Sequence, residues 1–192
     1  MPRSHEVAVV IGSLRKDSYS SRVARALVEV APNRLRFSHV EIGNQPLYNQ
    51  DLDSRPPEPW GALRQSIRGA SAVLFVTPEY NRSVPGVLKN AIDIASRPYG
   101  HSVFDGKPAA VVSQTPGALG GFGANHALRQ SLVFLNMPTL QQPEMYLGNV
   151  GTTFDDAGVL TDETTRKFLA SFMQSFTAWI DLHVPAPTAP GL

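Results

Sequence analysis

Residues 7–27, VAVVIGSLRKDSYSSRVARAL, join an apolar run to a polar turn and then to a helical pattern. The run at 7–12 is apolar at nearly every position, which is typical of a strand buried on both faces of a parallel sheet. Four serines, Arg15 and Lys16 follow it before apolar residues return at helical spacing. A buried strand that ends in hydroxyl and cationic side chains indicates a β–turn–α unit with a ligand at the turn.

The same alternation continues along the chain and predicts the fold. Strands are predicted at residues 7–12, 35–42, 72–77, 109–114 and 139–143, and helices at 20–30, 60–69, 84–96, 124–135 and 162–183. Because β/α alternation gives right-handed crossovers, the pattern predicts a doubly wound α/β fold with a five-stranded parallel sheet, order 2-1-3-4-5, and helices on both faces. A ligand is expected at the carboxyl ends of strands 1, 3 and 4. We expect a single domain at 1–183, with a long loop at 43–59, and a proline-rich tail at 184–192.

Composition excludes several classes of function. Of the 192 residues, 42% are apolar and 17% charged, and the net charge of +1 indicates neither a nucleic-acid nor a membrane partner. The absence of cysteine excludes disulfides, thiolate catalysis, cysteine-ligated zinc and iron–sulfur clusters. No histidine spacing indicates a metal site, and no apolar run reaches the length of about 18 residues that a membrane helix needs. Residues 1–6 lack the apolar segment of a secretion signal, so a cytoplasmic location is expected.

The polar turn after the first strand has the donors of a phosphate site. Backbone N–H groups at a helix start are unsatisfied, and the helix dipole adds partial positive charge there. The side-chain donors are Ser13, Arg15, Ser18, Ser20 and Ser21. The alternative for any one serine is ordinary capping of the helix, by Ser18 or Ser20. Because the turn has neither G-x-x-x-x-G-K-[S/T] nor G-x-G-x-x-G, a single terminal phosphate is favoured over a pyrophosphate.

Two further segments follow predicted strands 3 and 4. In TPEYNRSVPGVLKNAIDIASRP, residues 77–98, Pro78 and Pro85 stiffen a loop that could hold a planar ring through Tyr80, Asn81 and backbone groups. In SQTPGALGGFGANHALRQSL, residues 113–132, the glycines allow a close backbone approach to a ligand, and the alternative is an ordinary glycine turn.

The strings GSLR…S-x-S and TPEYN-x-S-x-P-G-x-L-K-N-A-I-D resemble the NADPH-dependent FMN reductase family, and within it the bacterial quinone and chromate reductases. The resemblance covers about residues 7–182. It implies a flavodoxin-like fold that binds FMN non-covalently and uses NADPH or NADH as co-substrate. It also implies a homodimer or a homotetramer.

The resemblance assigns three groups of cofactor-binding residues. The FMN phosphate is held by Ser13, Arg15, Ser20 and Ser21. The isoalloxazine is framed by Pro78, Glu79, Tyr80 and Asn81. The other edge of the flavin is lined by Ser113, Gly117 and Gly120.

Three residues depart from the family pattern. Arg82 stands where members often have an aromatic or small residue, and Gly123 and His126 stand where many have an arginine and a tyrosine. Arg82 and His126 are assigned to the substrate mouth, Arg82 as a cation that attracts an anionic group. The alternatives are a solvated or ion-paired loop arginine and an ordinary helix-face histidine.

The implied reaction is ping-pong hydride transfer from NAD(P)H to FMN and then to a quinone, flavin, azo or metal-oxyanion acceptor. No catalytic side chain is assigned, because the cofactor carries the chemistry and no nucleophile motif is present. The alternatives are a flavodoxin-like electron carrier and a regulatory protein without nicotinamide turnover. Carriers are usually strongly acidic, so the net charge of +1 disfavours the first of these.

Overall fold

The computed structural model describes residues 3–185. Its strands are β1 (His5–Ile11), β2 (Leu35–Val40), β3 (Ala72–Pro78), β4 (Ala109–Gln114) and β5 (Met145–Leu147). Its α-helices are α1 (Tyr19–Val30), α2 (Glu58–Arg68), α3 (Gly86–Ala95), α4 (Phe122–Phe134) and α5 (Glu163–His183). Of the predicted tail at 184–192, the part from residue 186 onward lies outside the described residues.

The five strands form one parallel sheet in the order β2-β1-β3-β4-β5, which confirms the predicted topology. β3 and β4 are buried at almost every position, because helices cover both faces of the sheet. One core cluster packs α1 and α5 on the sheet through residues such as Leu27 and Phe172. The other packs α2, α3 and α4 through residues such as Trp60, Leu88 and Leu128.

The position predicted for the fifth strand is wrong. Within 139–143, Thr139 forms only an isolated bridge to Ala109, and the ladder with β4 begins at Met145, which pairs with Val112. The reason is Pro143, which has no N–H to donate to a neighbouring strand. The loop predicted at 43–59 contains a short 3-10 helix, Gln50–Leu52, and ends where α2 begins at Glu58.

Within residues 3–185, no helix has both the length and the apolar character needed to span a membrane. The same residues contain no group of histidines and carboxylates arranged to hold a metal ion.

Candidate functional site

A cleft lies at the carboxyl ends of β1, β3 and β4, where the strand order of the sheet reverses. Its volume is about 210 Å³, and its walls are Ser13, Arg15, Ser18, Tyr19, Pro78, Glu79, Tyr80, Gln114, Thr115 and Pro116. An adjoining lobe of about 380 Å³ shares Ser13, Arg15 and Tyr80 and extends to the first turn of α3. The two lobes bring residues of all three sequence segments to one place.

The start of α1 forms the polar end of the cleft. Ser18 is the N-cap of α1: its Oγ accepts a hydrogen bond from the backbone N of Ser21 at 3.1 Å and lies 2.8 Å from Ser21 Oγ. The capping alternative therefore applies to Ser18, which also lines the cleft. No acidic residue lies within the first turn of α1, and Asp17 directly precedes its N-cap.

The four residues assigned to the phosphate have different positions. Ser13 and Arg15 line the cleft. Ser20 is completely buried beneath it, with its Oγ 2.8 Å from Nε2 of Gln114. Ser21 lines a separate groove between α1 and β2.

The second segment forms a tight hairpin turn at Tyr80–Ser83. Tyr80 and Ser83 exchange backbone hydrogen bonds of 3.0 and 2.9 Å, and Asn81 and Arg82 have φ of 51° and 63°. Two consecutive positive φ values are the signature of a type I′ turn. Tyr80 reaches the cleft, whereas Asn81 and Arg82 form the exposed tip of the turn.

Glu79 attaches this hairpin to α4. One carboxylate oxygen accepts a hydrogen bond from the backbone N of Ala124 at 3.1 Å, at the positive end of that helix. The other oxygen lies 3.3 Å from the guanidinium of Arg82, whose side chain is 75% exposed. Arg82 is thus ion-paired within its own turn and remains open to solvent.

Two of the three departures from the family pattern are neighbours. A Cβ on Gly123 would lie 2.8 Å from the carbonyl oxygen of Arg82 and 3.0 Å from Glu79 Oε2. The hairpin therefore packs directly on the backbone of Gly123, and a side chain at this position would displace it.

The third segment supports the cleft from beneath. Ser113 is completely buried and donates a hydrogen bond to the carbonyl of Gly120 at 2.8 Å. Gly120 has φ of 61°, and a Cβ there would lie 2.7 Å from the carbonyl carbon of Tyr146. The carbonyl of Gly117 accepts a hydrogen bond from Asn149 N at 2.9 Å. The structure thus gives these three residues contacts that shape the loop, while Thr115 of that loop lines the cleft.

His126 belongs to an exposed aromatic group beside β5. Its ring centroid lies 4.3 Å from that of Phe122, and its Nε2 lies 3.0 Å from the hydroxyl of Tyr146. Burial, with the nearby Glu144 carboxylate, raises the pKa of Tyr146 to about 12. The Tyr146 hydroxyl and the His126 ring nitrogen are thus hydrogen-bonded to each other, away from the cleft. His126 is not among the residues that line the cleft.

Gln114 is a cleft residue that the sequence did not single out. It ends β4, pairs in register with Pro78, and is only 3% exposed. A polar residue at the carboxyl end of a central strand was the available signal, since ligands bind at that edge of the sheet.

Comparison with known families identifies the kind of ligand site. The model of the NADPH-dependent FMN reductases matches residues 5–152. The chain belongs to this family. A quinone reductase of Pseudomonas putida is 60% identical over 184 residues, which cover 95% of this chain and 98% of the relative. A 2-hydroxy-1,4-benzoquinone reductase of Burkholderia is 47% identical over 175 residues, 91% of this chain and 96% of the relative.

A solved structure supports the same assignment. FerB of Paracoccus denitrificans, a flavoenzyme NAD(P)H:(acceptor) oxidoreductase, matches with a TM-score of 0.88 and 42% identity, covering 93% of this chain and 98% of that chain. The flavodoxin-like fold and the membership of the FMN reductase family expected from the sequence are confirmed. The relatives are named as reductases, which favours an enzyme over an electron carrier.

The residues of the cleft fit the FMN that the family binds. The hydroxyls of Ser13 and Ser18, the Arg15 guanidinium and the start of α1 are donors suited to a terminal phosphate. Tyr80 and Pro116 supply flat apolar surfaces suited to a ring. Gln114 lines the same cleft, and its Oε1 is buried and has no hydrogen-bond partner among the described residues. A buried acceptor of this kind is expected to meet a donor from a ligand or from an ordered water.

Proposed function

We propose that this protein is an FMN-dependent NAD(P)H oxidoreductase whose second substrate is a small quinone-type acceptor. The observation that carries this proposal is the single cleft that the start of α1 shares with the Tyr80–Ser83 turn. At the switch point of the sheet, this cleft joins a phosphate end, formed by Ser13, Arg15 and Ser18, to a ring end, formed by Tyr80 and Pro116. The names of the relatives support the acceptor class.

The residues of the chain bind and orient, and FMN, when bound, supplies the hydride-accepting and hydride-donating chemistry. Ser13, Arg15 and Ser18 hold the phosphate. The two hydrogen bonds of the Tyr80–Ser83 turn leave the N–H groups of Asn81 and Arg82 free to donate to a ring carbonyl. Such donors stabilise negative charge on a reduced ring. One open face serves both substrates in turn, which gives ping-pong kinetics.

The charge of Arg82, beside the cleft, indicates further electron acceptors. Arg82 presents a cation on the same turn as Tyr80, so the acceptor range extends to anionic groups, including oxyanions such as chromate. Free flavins and azo compounds share the planar shape of quinones. A cytoplasmic location follows from the need for NAD(P)H, and residues 1–183 act as one FMN-binding unit.

We also propose a homo-oligomer, with α3 and α4 at the contact between subunits. Tyr99, Val133 and Phe134 are 84%, 75% and 75% exposed, and a groove of about 360 Å³ runs between Asp93 and Phe134. Of these side chains Phe134 lines the groove, and exposed large apolar side chains are typical of interaction surfaces. A homodimer through this face is the basic unit, and a homotetramer is a pair of such dimers.

The function is tested on the purified full-length chain. We expect a yellow protein with the absorption spectrum of a flavin, one FMN per chain, and steady oxidation of NADPH or NADH in the presence of benzoquinone. An electron carrier would bind FMN but would not sustain NAD(P)H oxidation. A colourless chain that takes up no added FMN would contradict the proposal.

A further inference from the structure

The amide of Gln114 is held in place at only one end. Its Nε2 lies 2.8 Å from the Oγ of Ser20, and both side chains are almost completely buried. Its Oε1 is buried as well and has no hydrogen-bond partner among residues 3–185. Because a buried carbonyl without a partner is costly, such atoms in native proteins usually meet a ligand or water.

The position of Gln114 limits what that partner can be. The residue ends β4 and lines the cleft, and Ser20 belongs to the first turn of α1, beside the donors assigned to the phosphate. The Tyr80–Ser83 turn lies at the end of β3, and Pro78 pairs in register with Gln114. Gln114 is therefore placed between the phosphate end and the ring end of the cleft.

The chemistry of the amide narrows the choice further. The oxygens of a dianionic phosphate carry no proton and only accept hydrogen bonds, so a phosphate would repel Oε1. A hydroxyl both donates and accepts. Because Nε2 already donates to Ser20, Oε1 is the atom that needs a partner, and a hydroxyl can donate to it.

We propose that Gln114 binds a hydroxyl of the ribityl chain of FMN and that Ser20 orients its amide for this contact. Gln114 is thus a determinant of selectivity for flavins that carry a polyol chain. The inference rests on the proposed function, because it requires FMN in this cleft.

A comparison of three flavins distinguishes the contributions of the ring, the ribityl chain and the phosphate to binding. FMN has the ring, the ribityl chain and the phosphate, riboflavin lacks the phosphate, and lumiflavin has only the methylated ring. Their dissociation constants are measured by fluorescence quenching on apo-protein prepared from the full chain. The variants are Gln114→Met, which keeps the size of the side chain without its polar atoms, and Arg15→Ala as the matched control.

We expect Gln114→Met to weaken FMN and riboflavin by about tenfold each, the effect of one lost hydrogen bond, and to leave lumiflavin within twofold of the wild type. Arg15→Ala is expected to weaken FMN by at least about tenfold, because a charged contact to phosphate is lost, and to leave riboflavin and lumiflavin unchanged. The two variants therefore give different patterns across the same three ligands.

Other patterns overturn the inference. Equal weakening of all three flavins by Gln114→Met would assign the residue a purely structural role, and no weakening of riboflavin would exclude a ribityl contact. If Gln114→Met leaves Ser20 unpaired and unfolds the chain, Ser20→Ala/Gln114→Met removes both partners and restores a foldable apolar pair. A wild-type protein that binds no FMN would contradict the proposed function. A Gln114→Met variant that binds FMN as tightly as the wild type would contradict only this inference.

Discussion

Gly123 shows how the absence of a side chain fixes the position of the Tyr80–Ser83 turn. Because its Cβ position lies 2.8 Å from the backbone oxygen of Arg82, Gly123→Ala must displace either the hairpin or α4. We expect this variant to lower the free energy of unfolding by about 1–3 kcal/mol, the usual cost of overpacking, and to weaken FMN binding. Urea unfolding and a flavin titration measure the two effects.

The matched control is Gly61→Ala in α2, where a Cβ would meet no atom within 4 Å. That change is expected to raise the free energy of unfolding by about 0.5–1 kcal/mol, since alanine is the better helix former. If the two variants behaved alike, the hairpin would not depend on the backbone of residue 123.

Arg82 occupies a left-handed conformation that disfavours its own side chain. Arg82 has φ of 63° in a type I′ turn, and a side chain in this conformation is strained by about 1 kcal/mol. We expect Arg82→Gly to keep or slightly raise the free energy of unfolding, because relief of this strain offsets the loss of the exposed ion pair with Glu79. If the cation attracts acceptors, the same variant raises the KM for an anionic quinone severalfold and leaves that for an uncharged quinone unchanged. Arg82→Lys is the control that keeps the charge, and equal KM changes for both quinones would rule out this role.

The place of the candidate site in the fold could be predicted from the sequence, but the directions of its side chains could not. Ser113 and Gln114 are adjacent polar residues at the end of one strand, and successive residues point to opposite faces of a sheet. Only the packing shows that Ser113 bonds the Gly120 carbonyl while Gln114 reaches Ser20 and lines the cleft. The same limit applies to Ser20 and Ser21, since consecutive helical residues point about 100° apart: Ser20 is buried beneath the cleft, and Ser21 lines the groove between α1 and β2.

At the scale of elements, the central strands could be predicted closely because burial on both faces leaves an uninterrupted apolar run. β3 and β4 match the predicted bounds within one residue. β5 could not be found this way, because it has only three residues and follows Pro143. Its pairing depends on the neighbouring β4, which a local pattern does not contain.

One carboxylate connects the ends of three elements opposite the cleft. Asp181 of α5 accepts a hydrogen bond from Arg34 at 2.9 Å, just before β2, and lies 2.8 Å from Nε2 of His5 in β1. The Arg34 guanidinium, opposed by partial desolvation and assisted by His5, lowers the pKa of Asp181. A carboxyl with a folded pKa below its unfolded value stabilises the fold above the unfolded pKa of about 4. This stabilisation is lost as the pH falls through the folded pKa.

We therefore expect Asp181→Asn to lower the free energy of unfolding at pH 7 by about 1 kcal/mol, since the 40% exposed side chain is screened by water. The difference from the wild type is expected to shrink below pH 4, as measured by urea unfolding across the pH range. Asp156→Asn, at an exposed loop position, is the control and should show no such pH dependence. A constant difference at every pH would exclude an electrostatic origin.

At the scale of the whole molecule, the cleft and the groove between α3 and α4 lie on connected elements. α3 begins at the lobe beside Tyr80 and ends near Ser96, in the groove that contains Phe134. A partner subunit on this face would therefore pack on the same helix that borders the flavin site. Association through this face would therefore be coupled to the shape of the substrate mouth.

This coupling predicts that Phe134→Glu disrupts both assembly and activity. Phe134 is 75% exposed, so a carboxylate there costs the isolated chain little, but it would be buried without a partner in a subunit contact. We expect light scattering after size exclusion to give the mass of a dimer or tetramer for the wild type and that of a monomer for the variant. The variant is also expected to have a lower kcat with benzoquinone.

Leu182→Glu, equally exposed on α5, is the control and should keep the wild-type mass. A wild-type chain that is monomeric at assay concentration, or a Phe134→Glu variant with unchanged mass, would exclude α3 and α4 as the contact.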